Sequence, residues 1–289
     1  MPEASAHQSP CPTAFSAAYD AVLARWPEDT APTDVVTPFG TTHVHVHGPA
    51  GAPPVVLLPG GGATATGWYE VAAALGRTHR VHAPDLIGEP GRSVPGGRPL
   101  RTAEDLSAWL DALYEGLGLT SAALCGHSYG GWIALRHALR SPDRVDRLVL
   151  LDPTNAFAGY RPGYLLRALP MLLRPTPSRT AAFLDREARG ALDPAWRELA
   201  ARAAEFPSVR PVTGPRPRPA ELRRLAPPTL LLLAEHSGAH DIRAVAARAR
   251  ATVPRLETAT IAGATHHTLP LGLPDRTLDG ITRFLSRTG

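Results

Sequence analysis

The residues best suited to do chemistry lie near the middle of the chain, where residues 126–131 read GHSYGG. Gly126 and Gly130 stand two residues before and two residues after Ser128, and glycine at both places lets a strand turn sharply into a helix without Cβ collisions. Such a turn holds the serine hydroxyl out from the backbone. Because the motif follows the apolar segment AALC and precedes a helical pattern, it predicts a nucleophilic serine rather than an ordinary glycine turn.

A neutral serine hydroxyl is a weak nucleophile and needs a base within hydrogen-bonding reach, which a carboxylate in turn orients. Two histidines stand late in the chain, His266 and His267, in the segment GATHH after the last strand pattern. His127, beside the serine, is expected to shape the turn and not to act as a base. The residues alone do not decide which of these two late histidines is the base.

Backbone amides are expected to stabilise the negative charge that develops on an attacked carbonyl. The helix that begins just after Ser128 points its free N–H groups to that place, which makes the Tyr129 amide a natural donor. A second donor is expected from the loop PGGG at residues 59–62, which has no side chain to obstruct a substrate, and we assign it to Gly61. The alternative for this loop is a flexible turn that needs positive φ.

A scaffold must bring these loops together, and the chain supplies one by alternating apolar strands with amphipathic helices. Val35–His47 is predicted to be a hairpin that turns at Phe39-Gly40. A helix after Thr102 is predicted from the capping box that Thr102 forms with Asp105. The other predicted strands are Val55–Leu58, Arg80–Pro84, AALC, Leu148–Leu151, Thr229–Leu233 and Thr258–Ile261. The order predicts an α/β fold with a mainly parallel sheet and helices on both faces.

From about Val35 to the C-terminus the chain resembles the α/β-hydrolase fold superfamily. The matching segments are PGGG, DLIGEPGRS, GHSYGG, LVLLDP, LLLLAEHS and AGATHH. In that family the catalytic histidine closes a Gly-x-x-His segment, which here runs from Gly263 to His266. The resemblance therefore implies His266 as the base, His267 as its neighbour, and a central sheet flanked by helices with an inserted helical cap.

The carboxylate that the family usually carries is missing from its usual place. Members commonly have Gly-Glu-x-Asp after a strand, whereas residues 234–237 read AEHS, with Ser237 where the carboxylate belongs. Asp152 follows the preceding strand, a location that certain lipases of the superfamily use. Asp241 and Glu235 are the alternatives, but Asp241 precedes a helical pattern and would serve as its N-cap. We expect Asp152 to be the acid, with Asp241 second.

The regular alternation of strands and helices breaks over residues 155–224, where helix-like pieces are separated by prolines. We predict an N-terminal tail and helix in residues 1–34, a hydrolase core in residues 35–154 and 225–289, and a helical cap in residues 155–224 that lies over the site. The residues expected to line a substrate pocket are aromatic: Trp68, Phe157, Tyr160 and Tyr164.

The composition excludes several classes of protein. A hydrophobic content of 44% with 19% charged residues is ordinary for a soluble globular chain of 289 residues. All 30 basic residues are arginine and they are scattered, so the net charge of +4 predicts no nucleic-acid surface. Cys11 and Cys125 form no disulfide framework, which fits a cytoplasmic protein. No signal pattern and no apolar run of about 20 residues occurs, so no membrane partner is expected.

Three histidines alternate along the second strand of the predicted hairpin, His43, His45 and His47. They would share one face of that strand. Because the segment brings no carboxylate with them, we expect an exposed sheet face and no metal site. Cys125 is expected to be a buried small hydrophobe.

Together these residues predict hydrolysis of a carboxylic ester, lactone or thioester of a small molecule through an acyl-enzyme on Ser128, with no cofactor. Acyl transfer to another acceptor and carbon–carbon bond hydrolysis remain alternatives, because fold and triad alone do not separate these reactions. A non-catalytic ligand-binding protein on the same scaffold is a third reading, against which the intact serine and histidine weigh. The oligomeric state stays open.

Overall fold

The computed structural model describes residues 13–206 and 211–287. Strands β1 (Ala31–Thr37) and β2 (Gly40–His47) form an antiparallel hairpin that turns at Phe39-Gly40, as the alternation of side chains predicts. Gly40 has a φ of +128°, and a Cβ atom there would lie 2.2 Å from the carbonyl oxygen of Val94. The turn therefore requires glycine.

One sheet runs through the molecule in the order β1-β2-β4-β3-β6-β7-β8-β9, with β5 paired to β2. Its strands after the hairpin are β3 (Pro54–Leu58), β4 (Arg80–Pro84), β5 (Val94–Pro95), β6 (Ala122–His127), β7 (Val145–Leu151), β8 (Thr229–Ala234) and β9 (Leu256–Ile261). The strands from β4 to β9 along this order pair in parallel, whereas β2 pairs antiparallel with β4. This confirms the mainly parallel sheet.

Helices cover both faces of the sheet, as parallel strands with apolar residues on both sides require. They are α1 (Thr13–Leu23), α2 (Tyr69–Leu75), α3 (Ala103–Gly116), α4 (Ser128–Arg140), α5 (Pro162–Leu173), α6 (Pro177–Glu187), α7 (Pro194–Arg202), α8 (Pro219–Leu222), α9 (Ile242–Thr252) and α10 (Asp275–Leu285). Thr102 caps α3 in the predicted box with Asp105. Helices α3, α4 and α9 pack in one apolar cluster, and α2 and α10 pack in another.

Helices α5 to α8 lie between β7 and β8, in the segment where the sequence predicts helices separated by prolines. Helix α1 packs against this segment, because Phe15 and Tyr19 share an apolar cluster with Trp196 and Leu199 of α7. The sequence predicts α1 as a helix but not this contact. Residues 1–12, the predicted tail, and Cys11 lie outside the described residues.

The histidine face of β2 is buried, so the prediction of an exposed sheet face is wrong. Helix α1 and the loop after it cover this face: the Tyr19 hydroxyl lies 2.7 Å from Nε2 of His45, and the ring of Trp26 packs 5.4 Å from the ring of His45. Burial lowers the pKa of His45 to about 3. Within the described residues no group of three or more His, Cys, Asp or Glu side chains is placed to hold a metal ion.

Two further points concern single elements. Cys125 in β6 is fully buried, as predicted, and burial raises the pKa of its thiol. Among the helices of residues 13–206 and 211–287, none is both long enough and apolar enough to cross a membrane.

Candidate active site

Ser128 lies at the point where β6 ends and α4 begins, with a φ of +52°. A side chain in this left-handed conformation costs about 1–3 kcal/mol, so the surrounding structure must hold it. The two flanking glycines make that possible. A Cβ atom on Gly126 would lie 2.4 Å from the carbonyl oxygen of Gly130, and one on Gly130 would lie 2.3 Å from the carbonyl oxygen of Leu58. The spacing in GHSYGG is therefore a requirement of close backbone packing.

The order of the sheet brings the predicted loops to one place. Strand β3 has β4 on one side and β6 on the other, so the chain passes from β3 to β4 in one direction and then crosses back to β6, which opens a crevice at the carboxyl ends of the strands. Leu58 of β3 stands opposite Gly126 of β6, and His127 stands opposite Leu151 of β7. The glycine loop, Ser128 and Asp152 consequently follow three neighbouring strands.

His266 reaches the serine from the loop after β9. Its Nε2 lies 2.9 Å from the Oγ of Ser128, and its Nδ1 lies 2.6 Å from Oδ2 of Asp152. The histidine sits in a short 3-10 turn, His266–Thr268, which Thr265 caps by accepting a hydrogen bond from the amide of Thr268. With Nδ1–H donating to the carboxylate, Nε2 is left free to accept the serine proton.

The two histidines beside this pair make other contacts. His127 donates from Nε2 to the carbonyl oxygen of His266 at 3.0 Å, and burial, aided by the nearby His266, lowers the pKa of His127 to about 3. His267 lies with Nε2 3.1 Å from the hydroxyl of Tyr164, and burial lowers the pKa of His267 well below its ordinary value. Both rings are therefore neutral near pH 7. The geometry brings His266, and not His267, to Ser128.

Asp152 is fully buried at the end of β7, with a φ of +42°. Burial opposes its charged form, but hydrogen bonds from His240 and His266 outweigh this effect and hold the pKa of Asp152 well below its usual range. The amide of Ala234 donates to Oδ1 at 3.1 Å, and the hydroxyl of Ser237 donates to Oδ2 at 2.7 Å. The carboxylate is thus ionised and oriented from several sides.

Ser237 and His240 are the contacts that sequence reasoning did not find. Ser237 occupies the place where the family usually has its acid, and its hydroxyl binds the carboxylate of Asp152. His240 is almost fully buried, its Nε2 lies 3.0 Å from Oδ1 of Asp152, and its Nδ1 has no partner among the described residues. The run of polar residues in AEHSGAHD directly after β8 is the signal that points to this cluster.

The other two candidate acids lie elsewhere. Asp241 is exposed and caps α9 as its sequence context predicts, accepting hydrogen bonds from the amides of Arg243 and Ala244, which lower the pKa of Asp241. Glu235 accepts a hydrogen bond from the amide of Gly263 at 2.8 Å. Of the three carboxylates, only Asp152 contacts a ring nitrogen of His266 within the described residues.

The two amides proposed to bind an oxyanion, those of Gly61 and Tyr129, belong to segments that pack against each other. A Cβ atom on Gly61 would lie 3.5 Å from the Cβ of Tyr129, so the glycine loop packs directly against the first turn of α4. The Tyr129 amide has no intrahelical acceptor because it belongs to that first turn. In residues 13–206 and 211–287 no hydrogen bond from the Gly61 amide is formed. Gly62, with a φ of +72°, donates instead to Oε2 of Glu89 at 2.7 Å, which fixes the loop.

A cavity of about 410 Å³ has Tyr129 in its wall. Its walls are mainly apolar and include Phe39, Ile87, Leu100, Leu106, Ile133 and Val212. Tyr129 is held there by a 2.8 Å hydrogen bond from its hydroxyl to the carbonyl oxygen of Val212. Glu89 is the carboxyl group in this wall, and burial raises its pKa.

The four aromatic residues predicted to line a substrate pocket fall into two pairs. Trp68 and Phe157 are buried within the apolar clusters on the two faces of the sheet, and their place in a substrate pocket stays a prediction. Tyr160 and Tyr164 stack on each other with ring centroids 5.9 Å apart. The Tyr164 ring lies 6.4 Å from the ring of His266. A place in the pocket stays a prediction for these two.

Comparison with known proteins decides the family. The model of the alpha/beta hydrolase family matches residues 55–279. The chain belongs to this family. The match runs from β3 into α10 and includes the helical insertion, and it confirms the family and the fold that the sequence motifs predict.

This alpha/beta hydrolase is similar to carboxylesterases over nearly the whole of its chain. It is 30% identical to carboxylesterase YbfK of Bacillus subtilis over 281 residues, which cover 94% of this chain and 93% of the relative. The crystal structure of that protein, carboxylesterase CesB (YbfK), superposes with a TM-score of 0.87 at 28% identity, covering 94% of this chain and 97% of the other. The naproxen esterase of Bacillus subtilis superposes with a TM-score of 0.85 at 28% identity, over 93% and 96% of the two chains.

Proposed function

We propose that this alpha/beta hydrolase cleaves carboxylic esters of small molecules through an acyl-enzyme on Ser128. The observation that carries the proposal is the unbroken hydrogen-bonded line from Ser128 through His266 to the buried Asp152. The carboxylesterase names of relatives that match along more than nine-tenths of the chain support the same reaction.

In the first half of the reaction, Ser128 Oγ attacks the ester carbonyl carbon while its proton passes to Nε2 of His266. Asp152 stabilises the resulting imidazolium through the hydrogen bond at Nδ1. The amides of Gly61 and Tyr129 donate to the oxyanion of the tetrahedral intermediate. The bond to the alcohol oxygen then breaks, and His266 returns the proton to that oxygen.

The second half repeats these steps with water as the nucleophile. His266 takes a proton from a water molecule, the hydroxide attacks the acyl carbon, and the same two amides stabilise the second oxyanion. Collapse of the intermediate breaks the bond to Ser128 Oγ, which recovers its proton from His266. The product is a carboxylic acid, and the serine is free again.

The inserted helices are the element that we expect to act as a cap over the site. The Tyr164 hydroxyl of α5 lies 3.1 Å from His267, next to the base, so this segment contacts the loop that carries His266. The apolar cavity beside Tyr129 is the space that we assign to the hydrophobic part of the ester. Residues 155–224 would then separate this part of the substrate from water.

Labelling with a fluorophosphonate and hydrolysis of p-nitrophenyl butyrate test the proposal together. We expect the probe to modify the peptide that contains Ser128 and Ser128→Ala to lose both the label and at least about 10⁴-fold in kcat. The matched control is Ser141→Ala, at the end of α4, which should keep both. Folded wild-type protein that takes no label at Ser128, or Ser128→Ala that still hydrolyses the ester, would contradict the proposal.

A further inference from the structure

Helix α5 has one apolar side that no described part of the chain covers. This leucine face consists of five exposed residues: Leu165, Leu166, Leu169, Leu172 and Leu173. Their spacing of i, i+1, i+4, i+7 and i+8 places them on one side of the helix. Leu166 is 70% exposed and Leu173 is 75% exposed. Five leucines exposed side by side on one helix favour a contact with something outside the described chain.

The opposite side of α5 is fixed to the molecule. Ala168 is buried, and Tyr164 contacts His267 through its hydroxyl. Arg167, on this same side of the helix, donates to Glu187 of α6 at 2.5 Å. The leucine face is therefore the outer side of a docked amphipathic helix, and it is not a core face that has lost its partner.

The segment that carries the leucine face has charges of one sign, although two carboxylates from outside it lie nearby: Glu187 pairs with Arg167, and Arg161 is close enough to Asp241 to lower the pKa of that carboxyl group. Residues 153–184 contain four arginines and neither aspartate nor glutamate. Arg161 precedes α5 and Arg174 follows it, while Arg179 donates to the carbonyl oxygens of Pro170 and Arg174 at the C-terminal end of the helix. No ion pair to a carboxylate within the described residues involves these three arginines. Positive charge thus flanks the leucines at both ends.

We propose that the leucine face docks on the surface of an anionic phospholipid bilayer. Leucines that enter the boundary between headgroups and acyl chains, with arginines beside them at the headgroups, are the pattern of helices that lie in a membrane surface. A second copy of the chain fits less well. A two-fold contact would place this segment against itself, with arginines facing arginines and no carboxylate in the segment to pair with them.

Docking of this kind needs no membrane-spanning helix and does not depend on ester hydrolysis. It would bring α5, which contacts the loop of His266 from its inner side, to the lipid surface. The binding measurement is therefore separate from the proposed function, and Ser128→Ala should bind vesicles as the wild type does.

Cosedimentation with vesicles tests the proposal. The full chain is mixed with vesicles of equal parts phosphatidylglycerol and phosphatidylcholine, and with vesicles of phosphatidylcholine alone. We expect binding to the anionic vesicles that weakens with added salt. The double variant Leu166→Ser/Leu173→Ser should bind at least about tenfold less, and Arg161→Gln/Arg174→Gln should also bind about tenfold less. Val36→Ser, at an exposed valine of β1, is the matched control and should bind normally.

A circular dichroism spectrum and a urea titration like those of the wild type show that the variants are folded, and neither measurement depends on ester hydrolysis. Absence of wild-type binding to the anionic vesicles would overturn the proposal, as would undiminished binding by the leucine variant. Light scattering tests whether a second copy of the chain covers the leucine face. A wild-type dimer that becomes a monomer in Leu166→Ser/Leu173→Ser would show that a second copy covers the leucine face, and would also overturn the proposal.

Discussion

At the scale of single residues, the sequence predicts the proposed nucleophile and the proposed base because their signals are local. The glycines around Ser128 are required by backbone distances, and the Gly-x-x-His pattern distinguishes His266 from His267. The acid was harder, because Asp152, Asp241 and Glu235 all lie between serine and histidine in the chain. Only the order of the strands shows that Asp152 ends beside Ser128.

The hydrogen bond from His240 to the carboxylate of Asp152 can be tested by substitution of His240. His240→Phe removes a donor to Asp152, so we expect kcat/KM for p-nitrophenyl butyrate to fall about tenfold or more. The hydrogen bond from His240 also helps to lower the pKa of Asp152, so its loss raises that pKa, and the acidic limb of the pH–rate profile should move to higher pH. His240→Gln, which keeps an N–H donor, should recover part of both effects.

The exposed residue His236, four positions before His240, provides the control for His240→Phe. His236→Gln should leave the rate and the pH profile unchanged, because His236 has no contact with Asp152 in the described residues. An unshifted profile in His240→Phe would mean that the ring only fills space.

At the scale of elements, periodicity predicted the strands and helices well because most of them bury a regular stripe of apolar residues. The two-residue β5 is too short to leave a pattern, and the burial of the β2 histidines depends on α1, which lies far away in the chain. The packing of α1 on α7 is equally invisible in the sequence, since neither helix alone indicates its partner. The division into a core and a cap at residues 155 and 224 stays a prediction.

The contact between α1 and the inserted helices is expected to be a main source of their stability. Phe15 is fully buried, and its ring packs edge-on at 4.4 Å from that of Phe206. Phe15→Ala should lower the free energy of unfolding by about 3–5 kcal/mol in urea titration. Val36→Ala, at an exposed site, should change it by less than about 0.5 kcal/mol. Equal stability of the two variants would show that α1 does not anchor the insertion.

At the scale of the whole molecule, buried histidines set the response to acid. Burial lowers the pKa of His45 and His127 to about 3 and that of His82 to about 4. In the unfolded chain these rings bind protons below about pH 6.5, whereas in the folded protein they stay neutral. The contribution of these neutral rings to the free energy of unfolding is therefore fully present above pH 6.5 and is lost as the pH falls toward 4.

His82 offers a direct test of this acid response, because neither of its ring nitrogens has a partner in the described residues. Each such histidine steepens the fall of stability by up to about 1.4 kcal/mol per pH unit. His82→Leu should flatten the dependence of the free energy of unfolding on pH between 6.5 and about 4. His236→Gln, which changes an exposed histidine, is the control. An unchanged slope in His82→Leu would contradict the assignment.

Ser128, His266 and Asp152 are proposed to act as one catalytic unit. Asp152 is the member that departs from the usual place of the acid in the family, so it is the residue to test. The measurement is kcat/KM for p-nitrophenyl butyrate in Asp152→Asn beside Asp241→Asn. We predict a loss of about 10³–10⁴-fold in Asp152→Asn, because the histidine loses the carboxylate that orients it, and less than about threefold in Asp241→Asn. Near-wild-type activity in Asp152→Asn, or a large loss confined to Asp241→Asn, would contradict this proposal.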